Sequence, residues 1–276
     1  MPQRLKFIVA YDGAPFAGWQ SQASGNTVQD HLERAFGLVA GAPLRVHGAG
    51  RTDAGVHALA QCAHVELSHR SLPAQQWPLA LNAHLSPTIR VLRAAYVRST
   101  FHARFSARGK TYRYRIWNDR ILPPLELGRA WHVPGRLDID ALETAAQLFA
   151  GRNDYAAFAA NRGKPEQSTI RTIKLVRSKR RGRCIELEFS GDGFLYKMVR
   201  LMVGAVVRCA SGRATATEIR NRLKAPRDSC IHTRFVAPPH GLFLVRVRYQ
   251  DCFLGSGRAL AGYLLCGNYN EEGRDS

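Results

Sequence analysis

The amino-acid sequence predicts an α/β (α+β) fold made of two lobes, each with a largely antiparallel sheet. Short segments rich in β-branched and aromatic residues, typical of strands, alternate with segments whose apolar residues recur at helical spacing. These segments follow the same order twice, namely strand, helix, two strands, helix and strand. The 276 residues, 45% hydrophobic and 22% charged, are numerous enough for two domains and apolar enough for a core.

The predicted first lobe covers residues 1–105 and begins with a strand at residues 5–11 (LKFIVAY). Thr27 then precedes a segment in which apolar residues recur at helical spacing from residue 28 to residue 39, so it is placed to cap a helix. The elements that follow are predicted strands at residues 44–47 and 61–67, a helix at residues 75–84 and a strand at residues 90–98.

The predicted second lobe covers residues 106–250 and repeats this order, after a linker near residues 99–109. Its elements are a strand at 110–117, a helix at 139–150, strands at 169–178 and 183–189, a helix at 195–210 and a strand at 242–249. Asp138 or Asp140 is placed to cap the first of these helices, and Gly151 and Gly212 stand where the two helices end. The repeated βαββαβ order is the ferredoxin-like pattern. Residues 251–276 are predicted to form a loose tail.

The charge of the chain favours a polyanionic partner. Forty Lys and Arg face 21 Asp and Glu, which gives a net charge of +19 and an isoelectric point near 10.4. Basic residues concentrate at residues 98–115 and 171–183. Residues 178–183 (SKRRGR) look like an exposed turn between strands, so a turn that is only solvated remains an alternative to an RNA contact.

Several classes of protein lack support in the sequence. No apolar run approaches the roughly 20 residues that cross a bilayer, and residues 1–16 do not resemble a signal peptide, so no membrane partner and a cytoplasmic location are expected. The six cysteines form no C-x-x-C pair and have no histidine at zinc-ligand spacing, which indicates reduced thiols and no metal.

One segment, residues 48–58 (GAGRTDAGVHA), combines glycines with a charged pair. Its glycines allow a sharp turn or close contact with a ligand. A dinucleotide-binding fingerprint would need glycine at Asp53, and a P-loop would need lysine where Val56 stands, so neither nucleotide site is predicted. Spacing alone would equally allow Arg51 and Asp53 to form an ion pair that only stabilises a turn.

The segment GRTDAGVHA resembles the active-site segment of the bacterial tRNA pseudouridine synthases of the TruA family. Further segments resemble that family in the same order, so that the resemblance spans about residues 5–250. They are YDGAPFAGWQ at residues 11–20, TVQDHLE at 27–33, FHARFSARGKTYRYRIWN at 101–118, GRNDYAAF at 151–158, GFLYKMVRLMVG at 193–204 and APPHGLFL at 237–244. The resemblance implies a pseudouridine synthase fold in which the two lobes flank a basic active-site cleft.

The implied reaction moves the bond of uracil to ribose from N1 to C5, without gain or loss of atoms. It needs no cofactor or metal, but it needs a group that holds the detached fragment. The resemblance implies that Asp53 is this group, a nucleophile whose covalent intermediate divides one difficult step into two. Attack at ribose C1′ and attack at uracil C6 both remain open. Arg51 would lower the Asp53 pKa by roughly 1–3 units if the two lay within about 4–6 Å.

The resemblance assigns roles to other residues. Arg51 would occupy the space left by the displaced uridine, Tyr112 and Leu242 would contact its base, and Arg200 would pair with Asp53. Without the resemblance, Tyr112 and Tyr114 read as strand core, and Arg200 reads as part of a solvated helix face. Three positions depart from the family pattern: Tyr196 and Lys197 stand where a histidine pair is common, and Leu201 replaces a polar residue.

The partner implied is tRNA, modified at positions 38, 39 and 40 of the anticodon stem-loop, with a homodimer that uses both subunits to bind it. A basic cleft with one base pocket fits an RNA that is recognised by shape and backbone. Alternatives are a non-catalytic RNA-binding protein on the same scaffold and a synthase with another RNA target. A nucleobase deaminase is not predicted, because the sequence lacks its H-x-E and P-C-x-x-C zinc elements.

Overall fold

The computed structural model describes residues 3–160, 167–225 and 235–250, and in this part of the chain there are ten strands and five helices. The strands are β1 (Gln3–Tyr11), β2 (His47–Gly48), β3 (His57–Leu67), β4 (Ile89–Val97), β5 (Ala107–Trp117), β6 (Trp131–His132), β7 (Gly151–Asp154), β8 (Ile170–Arg181), β9 (Cys184–Gly191) and β10 (Leu242–Tyr249). The helices are α1 (Val28–Ala40), α2 (Trp77–Asn82), α3 (Ile139–Gln147), α4 (Met198–Ala210) and α5 (Ala216–Lys224).

The strands form one sheet in the order β4-β1-β3-β10-β5-β9-β8-β7, with β2 paired to β3 and β6 paired to β5. The first half therefore has the strand order β4-β1-β3-β2. The second half has the corresponding order β10-β5-β9-β8. Within each of these four-strand sets the neighbours are antiparallel. The predicted α/β class with largely antiparallel, repeated βαββαβ units is confirmed.

The two halves join where β10 pairs with β3. This pairing is parallel and short, with Phe243 opposite His57 and Leu244 opposite Ala58. The sheet is therefore continuous across both predicted lobes. The boundary at residues 105 and 106 stays a prediction and falls just before β5. The predicted tail, residues 251–276, lies outside the described residues.

The capping signals in the sequence fit the helix starts. The Thr27 side chain accepts a hydrogen bond from the backbone of Asp30, whose carboxylate accepts one from the Thr27 backbone, forming a capping box. Asp138 caps α3 by accepting from the Ala141 N–H at 3.0 Å. Gly212 follows α4 with φ of 69°, the left-handed region in which glycine is favoured. Gly151 does not end a helix: α3 stops at Gln147, because Phe149 and Ala150 N–H donate three residues back rather than four, and Gly151 begins β7 with φ of 100°.

Three further predicted elements differ from the observed ones in where they begin or end. No strand covers residues 44–46, because α1 side chains take the place of ladder partners: Val46 N–H donates to Glu33 and its carbonyl accepts from Gln29. The predicted helix at 195–210 begins only at Met198, because Lys197 has φ of 57° and cannot continue an α-helix. The helix predicted at 75–84 is shortened to α2 and follows a 3₁₀ turn (Ala74–Gln76).

The strands β6 and β7 and the helix α5 were missing from the sequence prediction. β6 and β7 contain two and four residues, too few for a periodic signal. α5 buries only Ile219, so its apolar face is too narrow to give a helical periodicity in the sequence. Thr215 and Glu218 nevertheless form a capping box at its start.

Helix α4 is buried on nearly all sides, whereas the other helices bury one face. This burial fixes the first turn of α4, where Arg200 lies. Among the described residues, no helix is long and apolar enough to cross a membrane.

Candidate active site

Asp53 lies in the loop between β2 and β3, and this loop is held by hydrogen bonds at several points. Ala49 N–H donates to the Cys62 carbonyl at 2.8 Å, and the Gln61 side chain donates to the Gly50 carbonyl at 2.7 Å. Trp19 N–H donates to the Thr52 carbonyl at 3.0 Å. The backbone that leads into Asp53 is therefore anchored to β3 and to the segment that precedes α1.

Two positions of this loop require glycine, each for a different physical reason. Gly48 lies against the indole of Trp19, where a Cβ atom would come within 2.5 Å of the ring. Gly55 has φ of 76° in the turn that Val56 N–H closes by donating to the Asp53 carbonyl at 3.1 Å. Side chains at these positions would clash or strain the turn that presents Asp53.

Asp53 forms an ion pair with Arg200 from the first turn of α4. Arg200 Nη1 donates to Asp53 Oδ2 at 2.9 Å, and Arg200 Nε donates to the Ala237 carbonyl at 2.8 Å. The two side chains are 20% and 11% exposed. The expected pairing of Arg200 with Asp53 is present, and the alternative of a solvated helix face for Arg200 is wrong. Two donors fix the guanidinium, which in turn orients the carboxylate.

Arg51 does not pair directly with Asp53. Its Nε donates to the Gln20 side chain at 3.0 Å, and among the described residues Asp53 forms its one ion pair with Arg200. The hypothesis of a turn-stabilising Arg51–Asp53 pair is therefore wrong. The physical reason is the Trp19–Thr52 backbone hydrogen bond, which brings Gln20 alongside Arg51. Arg51 is exposed and lines the cleft.

Tyr112 and Leu242 line the same cleft from the adjacent strands β5 and β10. Tyr112 is 7% exposed and meets the ring of Phe194 edge-on at 4.9 Å, while Leu242 is 6% exposed. Tyr114, two residues further along β5, is fully buried and donates to the Pro238 carbonyl at 2.7 Å. The strand-core interpretation therefore holds for both tyrosines, and Tyr112 in addition borders the cleft.

The cleft has a volume of about 550 Å³ and receives side chains from both halves of the sheet. Six cations line it: Arg45, Arg51, Arg104, Lys110, Arg171 and Lys197. Among the described residues, the only carboxylate in its lining is Asp53. The interior is therefore strongly positive around a single carboxylate, and such a cleft attracts a polyanion.

His57, in the same motif as Asp53, has a structural role. Its Nδ1 accepts from Gly13 N–H at 3.1 Å, and its Nε2 lies 3.0 Å from the Gly128 carbonyl and 3.1 Å from that of His240. Burial lowers the His57 pKa, although the nearby Asp12 opposes this shift. A neutral imidazole that accepts at Nδ1 and donates at Nε2 fits these partners, and it ties three distant segments together.

The departures from the family pattern differ in position. Tyr196 and Lys197 line the cleft, so these two can alter substrate contacts. Leu201 is 4% exposed and belongs to the core. Its apolar side chain fits a helix that is buried on nearly all sides.

Sequence reasoning missed two residues of the site: Gln20, which positions Arg51, and Phe194, which packs on Tyr112. Both lie in segments that resemble the family, so a search of those segments for side chains on the same face as Tyr112 was the available signal. Lys110, Arg104 and Arg171 add charge to the cleft and fall within the basic segments at residues 98–115 and 171–183, although no individual role was predicted for them. No group of three or more His, Cys, Asp or Glu able to hold a metal occurs in residues 3–160, 167–225 and 235–250.

Comparisons with known proteins bear on the family of the chain. A family model described as tRNA pseudouridine synthase matches residues 7–106 and 145–250. The chain is 48% identical to a tRNA pseudouridine synthase A of Akkermansia muciniphila, over 93% of this chain and 99% of that protein. It is 41% identical to a protein of the same name from Methylacidiphilum infernorum, over 88% of this chain and 94% of that protein.

Among solved structures, a crystal structure of a Cbf5-Nop10-Gar1 complex matches with a TM-score of 0.35 and 12% identity, over 74% of this chain and 44% of that chain. That likeness is too weak to add support. The match to the family model and the identity to these relatives over almost their whole length show that the chain belongs to the tRNA pseudouridine synthase A (TruA) family of isomerases.

Proposed function

We propose that this isomerase converts uridine to pseudouridine at positions 38, 39 and 40 of the tRNA anticodon stem-loop, through a covalent intermediate on Asp53. The observation that carries the proposal is Asp53, which among the described residues is the single carboxylate in the lining of a cleft with six cations and is held in place by Arg200. A polyanionic RNA is drawn into such a cleft, and this carboxylate is then next to the substrate.

The reaction balances in atoms. The N1–C1′ bond breaks, the base rotates, the C5–C1′ bond forms, a proton leaves C5, and N1 gains a proton. The Asp53 carboxylate bonds to C1′ or to C6 and is released at the end. Arg200 holds the attacking oxygen in one direction through its bonds to Asp53 and Ala237.

The other predicted residues accept the displaced base. Unstacking costs a few kcal/mol, and stacking on an aromatic ring returns about 1–3 kcal/mol. Tyr112 and Leu242 lie on the paired strands β5 and β10, two residues apart in register, and both line the cleft, where they form an apolar wall for the uracil. Arg51 is exposed at the cleft, and within the described part of the chain its side chain is held by Gln20 alone, so its planar guanidinium can enter the space that the uridine leaves.

We also propose a homodimer and a cytoplasmic location. Three large apolar side chains in one short segment, Ile121, Leu125 and Leu127, are 77%, 84% and 69% exposed, which supports an interface there. The cytoplasm is where the enzyme meets tRNA. Sedimentation of Leu125→Lys against wild type tests the dimer, since a charge in this patch should shift the protein to monomer.

The central test is release of tritium from tRNA that carries [5-³H]uridine. Wild type should release tritium, and Asp53→Asn, which removes the charge but keeps the shape, should release none while still binding tRNA. Asp140→Asn, an exposed carboxylate on α3, is the matched control and should react as wild type. Full turnover by Asp53→Asn would rule out the nucleophile, and no turnover by wild type would favour the non-catalytic RNA-binding alternative.

The target positions need a separate experiment. Sequence-resolved detection of pseudouridine in tRNA, from cells with and without the gene, should show losses confined to positions 38 to 40. Losses elsewhere would indicate another RNA target for the same chemistry.

A further inference from the structure

A group of three cations in the cleft has no part in the chemistry proposed above. Lys110 on β5, Arg104 in the segment before β5, and Arg171 on β8 all line the cleft. Both arginines are close enough to Lys110 to act on its ionisation. Three separate chain segments therefore bring positive charge to one place.

Lys110 is held rigidly but lacks an anion. Its backbone lies between β9 and β10, opposite Gly191 and Val247. Its ammonium rests on Gly50, where an added Cβ would come within 2.8 Å of Nζ. Among the described residues, no carboxylate lies within 4 Å of Nζ and no hydrogen-bond acceptor is in reach. Burial, and then Arg104 and Arg171, lower the Lys110 pKa to about 8.

The neighbouring charges do not neutralise this group. Arg171 donates to the carbonyls of Ser168 and Ile170, and neither arginine forms an ion pair with a described carboxylate. Asp53 is already paired with Arg200. Arg51, Lys197, His47 and His102 also line the cleft, and Arg248 packs over Gly109. The carboxylate of Asp192, next to Gly191, accepts from the Thr172 N–H and forms no ion pair with these cations. Burying an ammonium among cations is unfavourable unless an anion binds there.

We propose that Lys110, Arg104 and Arg171 form a binding site for one phosphodiester group of the RNA strand beside the displaced uridine. The inference rests on the proposed function for the identity of the RNA. Lysine supplies a point charge, and the two guanidinium groups supply paired N–H donors, which together suit a phosphate with two unbridged oxygens. The site holds the backbone next to Asp53, so that the base leaves the stack at the nucleophile.

Proton linkage gives the site a specific signature. In the free protein about half of Lys110 is protonated near pH 8, because its pKa is about 8. A bound phosphate favours the ammonium form, so binding at pH 8.5 takes up a proton, whereas binding at pH 7 takes up little. Burial lowers the pKa of His102, which lines the same cleft, so this histidine contributes little to uptake at pH 8.5.

The experiment is calorimetric titration of a synthetic anticodon stem-loop RNA in buffers of different ionisation enthalpy, at pH 7 and 8.5, with the full chain carrying Asp53→Asn to prevent turnover. We expect proton uptake at pH 8.5. Adding Lys110→Met should abolish the uptake, weaken binding about tenfold, and lower the salt slope by about one unit. Adding Lys110→Arg should restore affinity without uptake, since the guanidinium stays charged. Lys174→Met, an exposed lysine on β8, is the matched control and should keep the uptake.

A second arm identifies the ligand as backbone phosphate. Replacing one phosphodiester next to the target uridine by an uncharged methylphosphonate should weaken binding about tenfold, and Lys110→Met should add nothing further to that loss. Inorganic phosphate should compete with the unmodified RNA at this site only. Proton uptake that persists in the Lys110→Arg variant would overturn the proposal. The proposal would also be overturned if the loss of binding from Lys110→Met added to that from the methylphosphonate at every position of the RNA. A different outcome would contradict the proposed function alone: the RNA binds normally with the proton uptake that depends on Lys110, but the chain with intact Asp53 shows no turnover.

Discussion

Arg200 reaches Asp53 across 147 positions of sequence, and this one contact connects the two halves of the site. Its geometry explains why a lysine cannot replace the arginine, since Nη1 binds Asp53 while Nε binds the Ala237 carbonyl. A lysine ammonium at this position lacks the fixed fork that satisfies both acceptors. The roles of these residues are thus matters of hydrogen-bond geometry as well as charge.

Arg200→Met should reduce turnover at least a hundredfold and lower the free energy of unfolding by about 2 kcal/mol, because Asp53 is left largely buried without its partner. Urea denaturation and tritium release measure the two effects. The double variant with Asp53→Asn should regain most of the lost stability, since the uncompensated charge is gone. A loss of stability in the double variant equal to the sum of the two single losses would show that the pair does not couple.

Tyr112→Ala should lower turnover more than tRNA affinity, because stacking on the ring takes effect only after the uridine has left its stack. Tyr112→Phe keeps the ring and its edge contact with Phe194, so it is the matched control and should retain most activity. Kinetics at saturating tRNA, together with direct binding measurements, separate the two effects. Equal losses in turnover and affinity would indicate a general binding role.

At the scale of elements, helix α4 packs closely against residues 235–237. The added Cβ of Gly204 would come within 2.3 Å of the Phe235 carbonyl, so only glycine allows this approach. Ala237 N–H donates to the Arg200 carbonyl at 3.1 Å in the same contact. The position of Arg200 therefore depends on how closely α4 and this segment pack.

Gly204→Ala should destabilise the protein by about 1–3 kcal/mol, although alanine normally favours a helix over glycine by about 1 kcal/mol. Alanine is destabilising at this position because its methyl group would clash with the Phe235 backbone, which cannot rotate aside as a side chain could. Gly37→Ala in α1 is the matched control, since its Cβ would meet only the Ala42 carbonyl at 3.8 Å. That variant should be stabilised by up to about 1 kcal/mol in thermal or urea unfolding. Stabilisation of both variants would contradict the close packing at Gly204.

At the scale of the whole molecule, buried histidines make stability depend on pH. His64 is 1% exposed, and its Nδ1 accepts from Ala103 N–H at 3.2 Å. Burial, and then His47, His102 and Arg4, lower the His64 pKa to about 4, with Glu66 acting in the opposite direction. Because the folded-state pKa lies below the ordinary histidine value of 6.5, the neutral form stabilises the fold above pH 6.5. This contribution is lost as the pH falls towards 4.

The free energy of unfolding should therefore decrease from pH 6.5 to about 4, with His64 contributing at most about 1.4 kcal/mol per pH unit. His64→Gln, whose side-chain carbonyl can still accept from Ala103, should reduce this slope. Urea unfolding at half-unit pH intervals measures it. An unchanged slope would show that His64 is not the group responsible.

The sequence by itself determined the class of fold, the cationic character and the segment that bears Asp53. Each of these rests on local information, namely strand and helix periodicity, caps such as Thr27 and Asp138, and a motif within eleven consecutive residues. The resemblance to the family supplied the roles of Tyr112 and Arg200. Spacing alone predicted Tyr112 in the strand core and Arg200 on a solvated helix face.

Tertiary structure decided what depends on distant contacts. The join of β3 to β10 and the burial of α4 bring Arg200 to Asp53, and the segment before α1 takes Arg51 away from it. The same packing gathers Lys110, Arg104 and Arg171 from separate elements. Periodicity reports which face of an element is apolar, whereas a charged partner is chosen by geometry between elements, because the Coulomb energy depends on distance in space and on local burial.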